Sequence, residues 1–397
     1  MGSSNGSSMA RTSDRLSLIV TGGLGSMPFA GVTWQILHYL EGFRRLGHRV
    51  FYLEDTGAWP YDPEQQTVSE DAQPALRYVQ RMLARVQMDD AWAYRDAAGG
   101  GIHGVSAKRL DAELASADML VNISGVTVLR EEHLRVPLRL YVETDPVLAQ
   151  IEIAKGNAQT LEWLSAHTHH FTYGENFGSP DCAVPLGDFT YRPTRQPVVA
   201  DWWEPGEGTE PRTTLTTVAS WKQTSKDIEW QGEVLTWSKD VQFEPFIDLP
   251  RRVAPPLELA LAVDDDAAVA RLTALGWHVV PALPLSRDVD AYRRYICCSA
   301  GEFSVAKAQY AQTRSGWFSD RTATYLAAGR PAVVQNCGSP LPQGEGLFMF
   351  DTVDEAVAAI ETIDADPARH RRAARDLAHE EFRAETVLAR LLTDVSA

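Results

Sequence analysis

The chain has 397 residues, with 37 Lys+Arg against 53 Asp+Glu and a formal net charge of −16. Its 44% hydrophobic and 23% charged residues match an ordinary globular chain, long enough for two domains without disulfides or metals. The acidic balance argues against a nucleic-acid duplex as the main partner, since phosphates are neutralised by basic surfaces, and it disfavours anionic membranes likewise.

Residues 1–14 begin Met1-Gly2-Ser3-Ser4-Asn5-Gly6, lack the apolar core of a signal peptide and read as an expression scar. From Arg15 the run Leu16-Ser17-Leu18-Ile19-Val20 predicts a strand that ends in the glycine loop Gly22-Gly23-Leu24-Gly25. Trp34, Ile36, Leu37, Leu40 and Phe43 then share one face of a helix, which Gly47 stops before a strand over 48–53. A helix over 72–86, strands over 118–123 and 138–142, a helix over 147–154 and a strand over 170–173 follow. Together they predict a doubly wound N-terminal domain over 15–195. His167-Thr168-His169-His170 has no Asp, Glu or Cys at metal-ligand spacing and is expected to be structural.

Residues 196–211 are rich in Pro, Trp and acids and have the composition of a linker. The alternation restarts with strands over 213–218, 257–263 and 277–280, helices over 265–275, 288–296 and 320–328, and a strand over 331–335, giving a C-terminal domain over 212–378. The tail is helical from 367, and residues 379–397 are expected as a terminal helix able to cross back to the N-terminal domain. The expected fold is α/β, with two doubly wound Rossmann-like domains facing a cleft and strand carboxyl ends toward the ligand. The four cysteines, Cys182, Cys297, Cys298 and Cys337, form no metal or redox spacing, and the expected compartment is the cytoplasm.

The most specific stretch runs from Ser315 to Pro331: a glycine turn, Ser319 and Asp320 as N-cap candidates, a small-residue helix, then Gly329-Arg330-Pro331 before an apolar strand. Free amides at such a helix start favour an anion. Here the sequence resembles the sugar-nucleotide glycosyltransferases of GT-B fold, whose C-terminal domain carries Glu-Ala-x-Ala-x-Gly-x-Pro-Val-Val. The matching segment reads Thr324-Tyr325-Leu326-Ala327-Ala328-Gly329-Arg330-Pro331-Ala332-Val333. Family members with two glutamates separated by seven intervening residues use them for sugar and ribose. Here those positions hold Gly316 and Thr324, so sugar recognition and retaining stereochemistry do not carry over.

The resemblance implies that Gly316, Trp317, Phe318, Ser319, Asp320, Arg321 and Thr324 form the donor loop, with Gly23 and Gly25 facing the diphosphate across the cleft. Lys222, Lys239, Lys307 and Arg321 are the candidate cations for a metal-independent leaving group. Glu302 is the candidate replacement carboxylate, and Pro281 and Ala282 stand where the nucleobase edge is usually read. A catalytic base is expected from the N-terminal domain: Asp145 first, because Thr144-Asp145-Pro146 directly ends a buried strand, with Glu143 and Glu175 as alternatives. Capping the following helix is an equal reading of Asp145.

The implied activity is transfer of a sugar from a nucleoside diphosphate donor to a hydroxyl of a small-molecule acceptor, such as a specialised metabolite or nucleoside. Such an enzyme needs no bound cofactor or metal, the nucleotide sugar being a co-substrate. An epimerase or hydrolase of the same fold, and a non-catalytic sugar-nucleotide-binding protein, remain alternatives. A nicotinamide oxidoreductase would rest on the glycine loop alone, with Glu54 or Asp55 as a loosely placed ribose acid.

Overall fold

In the computed structural model residues 15–206, 209, 211–223 and 225–396 are described. The expression-scar reading of residues 1–14 lies outside the described residues, as do positions 207, 208 and 210 of the linker segment.

The N-terminal half is built on β1 (Ser17–Thr21), β2 (Arg49–Glu54), a small hairpin of β3 (Tyr61–Asp62) and β4 (Thr67–Val68), β5 (Trp92–Arg95), β6 (Ile102–Gly104), β7 (Met119–Ile123), β8 (Leu138–Glu143), β9 (His169–Thr172) and β10 (Tyr191–Pro193). Its main sheet has the order β10-β9-β8-β7-β1-β2-β5-β6. All neighbours are parallel except β5 and β6. β7 is buried at every position and β1 at all but its first, as strands covered by helices on both faces must be.

The C-terminal half repeats the plan with β11 (Leu215–Ser220), a hairpin of β12 (Ile228–Trp230) and β13 (Glu233–Leu235), β14 (Leu257–Ala262), β15 (His278–Pro281), β16 (Gly301–Ser304), β17 (Ala332–Gln335) and β18 (Leu347–Phe350). The parallel order β15-β14-β11-β16-β17-β18 is the doubly wound arrangement in which strand order reverses beside the first strand. The two switch points lie between β1 and β7 and between β11 and β16.

Three expectations change. Glu302, the candidate replacement carboxylate, lies inside a strand that was not expected, β16, and is fully buried, in a run whose small residues and central charge hide its strand character. The segment after 195 is packed rather than loose: Ala200–Trp203 forms a 3₁₀ turn, and Trp203 donates Nε1–H to His38 Nε2 at 3.0 Å. The tail is two helices, Pro367–Glu381 and Ala384–Ser396. They break where Phe382 O and Ala384 N both bond to Val198, at 2.7 and 2.8 Å. The second helix rests on the N-terminal helix Ala30–Arg45, where a Cβ on Gly42 would stand 2.5 Å from Leu388.

Candidate active site

A cavity of about 560 Å³ separates the halves, lined by Gly22, Gly23, Ser124, Thr144 and Asp145 on one side and by Lys226, Tyr292, Trp317, Ser319, Asp320, Arg321 and Thr324 on the other. Ligands of doubly wound sheets bind at such switch-point crevices.

Arg321 lies across the carboxyl ends of β11 and β16. Its Nε donates to Glu302 at 2.6 Å, Nη1 to Val218 O at 2.7 Å and Nη2 to Ser304 Oγ at 2.7 Å. A guanidinium has five N–H donors, so two remain for an occupant of the cavity it lines. Glu302 is therefore the buried counter-ion that aims Arg321, and it does not itself line the cavity. Thr324 lines the cavity too, its hydroxyl donating to Arg321 O at 2.7 Å.

Around Arg321 stand three lysines. Lys239 donates to Val305 O at 2.8 Å, and its ammonium is pushed well down by burial and by the charges of Arg321 and Lys307. Lys307 sits 3.1 Å over the Trp237 ring and 3.6 Å from Asp145 Oδ1, and burial lowers its pKa to about 8. Lys226, not among the candidates expected from the sequence, approaches the same ring at 4.5 Å and lines the cavity. Lys222 is exposed and does not line it, nor do Pro281, which ends the edge strand β15 away from the switch point, and Ala282, which follows it.

The loop before the helix Asp320–Ala327 joins the two halves. Gly316 has φ +84°, and a Cβ there would lie 2.2 Å from Asn176 N, so no side chain fits at this position. Trp317 stacks on Tyr310 at 4.2 Å and donates Nε1–H to Thr144 O at 2.9 Å. Phe318 points away from the cavity, stacked on Phe382, while its carbonyl accepts from Gln196. Ser319 is the N-cap residue by backbone position, though its side chain makes no capping bond. Asp320 accepts from Gln35 Nε2 at 3.1 Å. Burial, with Asp145 adding repulsion, raises its pKa to about 7.

On the N-terminal side the glycine loop is tied from below. Glu54 accepts from Gly25 N at 2.8 Å, Ser26 N at 2.7 Å and Tyr52 Oη at 2.8 Å. Gly25 is thus packed inside and does not reach the cavity, whereas Gly23 lines it. Asp55 is held by Arg130 at 2.8 Å. Both acids that could have served a dinucleotide ribose are spent on structure.

Asp145 stands half-exposed in the cleft, accepting from Tyr310 Oη at 2.5 Å. It caps no helix: Val147 holds the N-cap position of Leu148–Ala154, with φ +92°, a conformation rare for a β-branched residue. Glu143 secures that turn from behind. It accepts from Gln150 Nε2 at 2.7 Å, and Gln150 Oε1 accepts from Val147 N at 2.8 Å. Glu143 is fully buried off the cavity, and burial raises its pKa to about 7, so it positions the turn rather than reaching a substrate. Glu175 also misses the cavity, paired with Arg195 at 2.9 Å in a cluster that includes Glu381. The histidines are structural: His167 Nε2 accepts from Asn122 at 3.0 Å, and His170 Nε2 bonds to Leu164 O at 2.9 Å.

Gln35, Glu152 and Trp163 also line the cavity and were not singled out from the sequence. Only Gln35 left a trace there, as a polar residue between apolar helix positions.

Two Rossmann-like halves with a cleft over both switch points constitute the GT-B fold. Solved structures share it. An α-glucosyltransferase solved with UDP-glucose and DNA containing an abasic site superposes with a TM-score of 0.56 at 10% identity, over 96% of this chain and 100% of that one. AviGT4, a glycosyltransferase involved in avilamycin A biosynthesis, gives 0.54 at 12% identity, over 96% and 97%. HepE of Anabaena, solved with UDP and glucose, gives 0.51 at 9% identity, over 96% and 100%. No protein-family model and no curated protein matches the sequence. No helix among the described residues is long and apolar enough to cross a membrane.

Proposed function

We propose that this chain is a glycosyltransferase that moves a sugar from a nucleoside diphosphate to a hydroxyl of a small-molecule acceptor. The carrying observation is Arg321, anchored by three bonds at the C-terminal switch point with two donors left for the cavity. Lys226 lines the same cavity and Lys307 stands close by, which with Arg321 gives cations suited to a departing diphosphate without a bound metal.

In this reading Asp145 takes the acceptor proton. The acceptor oxygen bonds to the anomeric carbon, the bond from that carbon to the phosphate oxygen breaks, and the nucleoside diphosphate leaves with the electron pair. Solved neighbours holding UDP make a UDP-sugar the first donor to try. One such neighbour was solved with DNA and another with glucose, and for this chain the small-molecule case is favoured by the net charge of −16. A cytoplasmic, natural-product role is part of the proposal.

The test follows nucleoside diphosphate release from a sugar nucleotide, with and without hydroxyl acceptors. Acceptor-dependent release supports transfer. Equal release without acceptor means a hydrolase or epimerase. Tight binding without release under any acceptor means a binding protein.

A further inference from the structure

Among the described residues lining the cleft, the Lys and Arg side chains, Lys226 and Arg321, come from the C-terminal half, which also contributes Asp320; the N-terminal half contributes the carboxylates Asp145 and Glu152. A cavity of about 560 Å³ is the size of one drug-sized ligand, so a nucleotide sugar fills it and an acceptor must extend beyond.

There is a place for that extension. Glu152 and Trp163 also belong to a second, more open depression of about 920 Å³ on the N-terminal half, so the two spaces share a wall. Its apolar lining is Val128, Leu129, Leu134 and Trp163, with Val128 67% and Leu134 44% exposed. Trp163 is fixed edge-on to Tyr141 at 5.3 Å, and Gly125 passes so close beneath it that a Cβ would lie 2.2 Å from the indole. Glu152 gives one oxygen to the Thr160 hydroxyl at 2.7 Å and has no other side-chain partner among the described residues. Arg139 reaches this groove, but its guanidinium is bound to the carbonyls of Ala166, Val136 and Leu134.

Resting on the proposed function, we infer that this groove seats the far end of the acceptor, which is an elongated neutral or cationic molecule with an aromatic or aliphatic arm. The arm lies along Trp163 toward Val128 and Leu134 while the reacting hydroxyl stays at Asp145. A polyanion meets the carboxylates Asp145 and Glu152, and Arg139 is the one Lys or Arg lining the groove among the described residues.

The test uses the full chain at fixed physiological salt with saturating UDP. Binding of octyl β-glucoside, 4-nitrophenyl β-glucoside, glucose and a short DNA duplex is measured by calorimetry. The aryl or alkyl glucoside should bind at least about tenfold more tightly than glucose, the gain expected from burying a few carbons. In the double variant Val128→Asp, Leu134→Asp, both at exposed positions, that ratio should fall about tenfold. An unchanged ratio, no preference for the arm, or tighter binding of the duplex overturns the inference. Failure of UDP itself to bind the unaltered chain is a separate result and removes the proposed function beneath it.

Discussion

Replacing Arg321 with Ala separates the two roles the structure gives it. Its side chain is 15% exposed and its partner Glu302 0% exposed, so the variant strands a buried carboxylate. Breaking a buried pair from one side costs about 3–5 kcal/mol, and the chemical-denaturation midpoint should fall accordingly. The double variant Arg321→Ala, Glu302→Gln removes the stranded charge and should recover most of that loss. Nucleotide affinity should not recover. Two N–H donors to a diphosphate are lost in both variants; a single charged hydrogen bond is worth about 1.5–3 kcal/mol, so Kd should rise by at least about tenfold. Denaturation followed by tryptophan fluorescence, with nucleotide titration of both variants, reads the two effects separately. Restored stability with restored affinity would refute Arg321 as a phosphate ligand and leave it purely structural.

Asp145→Asn should lower the transfer rate by about 10²–10⁴-fold, the range for losing a general base, with little change in donor Kd; steady-state kinetics with nucleotide titration checks this. Glu143 is protonated more easily folded than unfolded, its pKa rising from 4.5 to about 7, so its contribution is present at low pH and lost as pH rises through 7. Stability of Glu143→Gln relative to the natural chain should therefore rise by ~3 kcal/mol between pH 4 and pH 8 in paired denaturation curves. Gly316→Ala places a Cβ 2.2 Å from Asn176 N at φ +84° and should destabilise the chain by about 1–3 kcal/mol or more, visible as a lowered melting midpoint.

Most of the fold is legible in the sequence because its central strands are short apolar runs cut by Gly and Pro, with helical periods between them. β16 is the exception that matters. Gly301-Glu302-Phe303-Ser304 has no apolar run, since its charge is compensated from Arg321, nineteen residues later and across a helix start. In the candidate site, Arg321 and Asp145 were legible because local motifs end strands and begin helices at their positions. Glu143 and Glu175 carried the same local signature as Asp145 but point into Gln150 and Arg195, partners that only the folded chain brings near. Gly316 read as a missing carboxylate; the fold makes it the point where Asn176 of the other half packs against the loop before the helix Asp320–Ala327.

The central claim is that the C-terminal wall of the cleft binds a nucleoside diphosphate. Calorimetric titration of UDP, dTDP, GDP, ADP and NAD(H) into the whole chain tests it most directly. Saturable binding of one nucleoside diphosphate, weakened at least tenfold in Arg321→Ala, Glu302→Gln, is the predicted result. Binding of NAD(H) alone, or of no nucleotide at all, contradicts it.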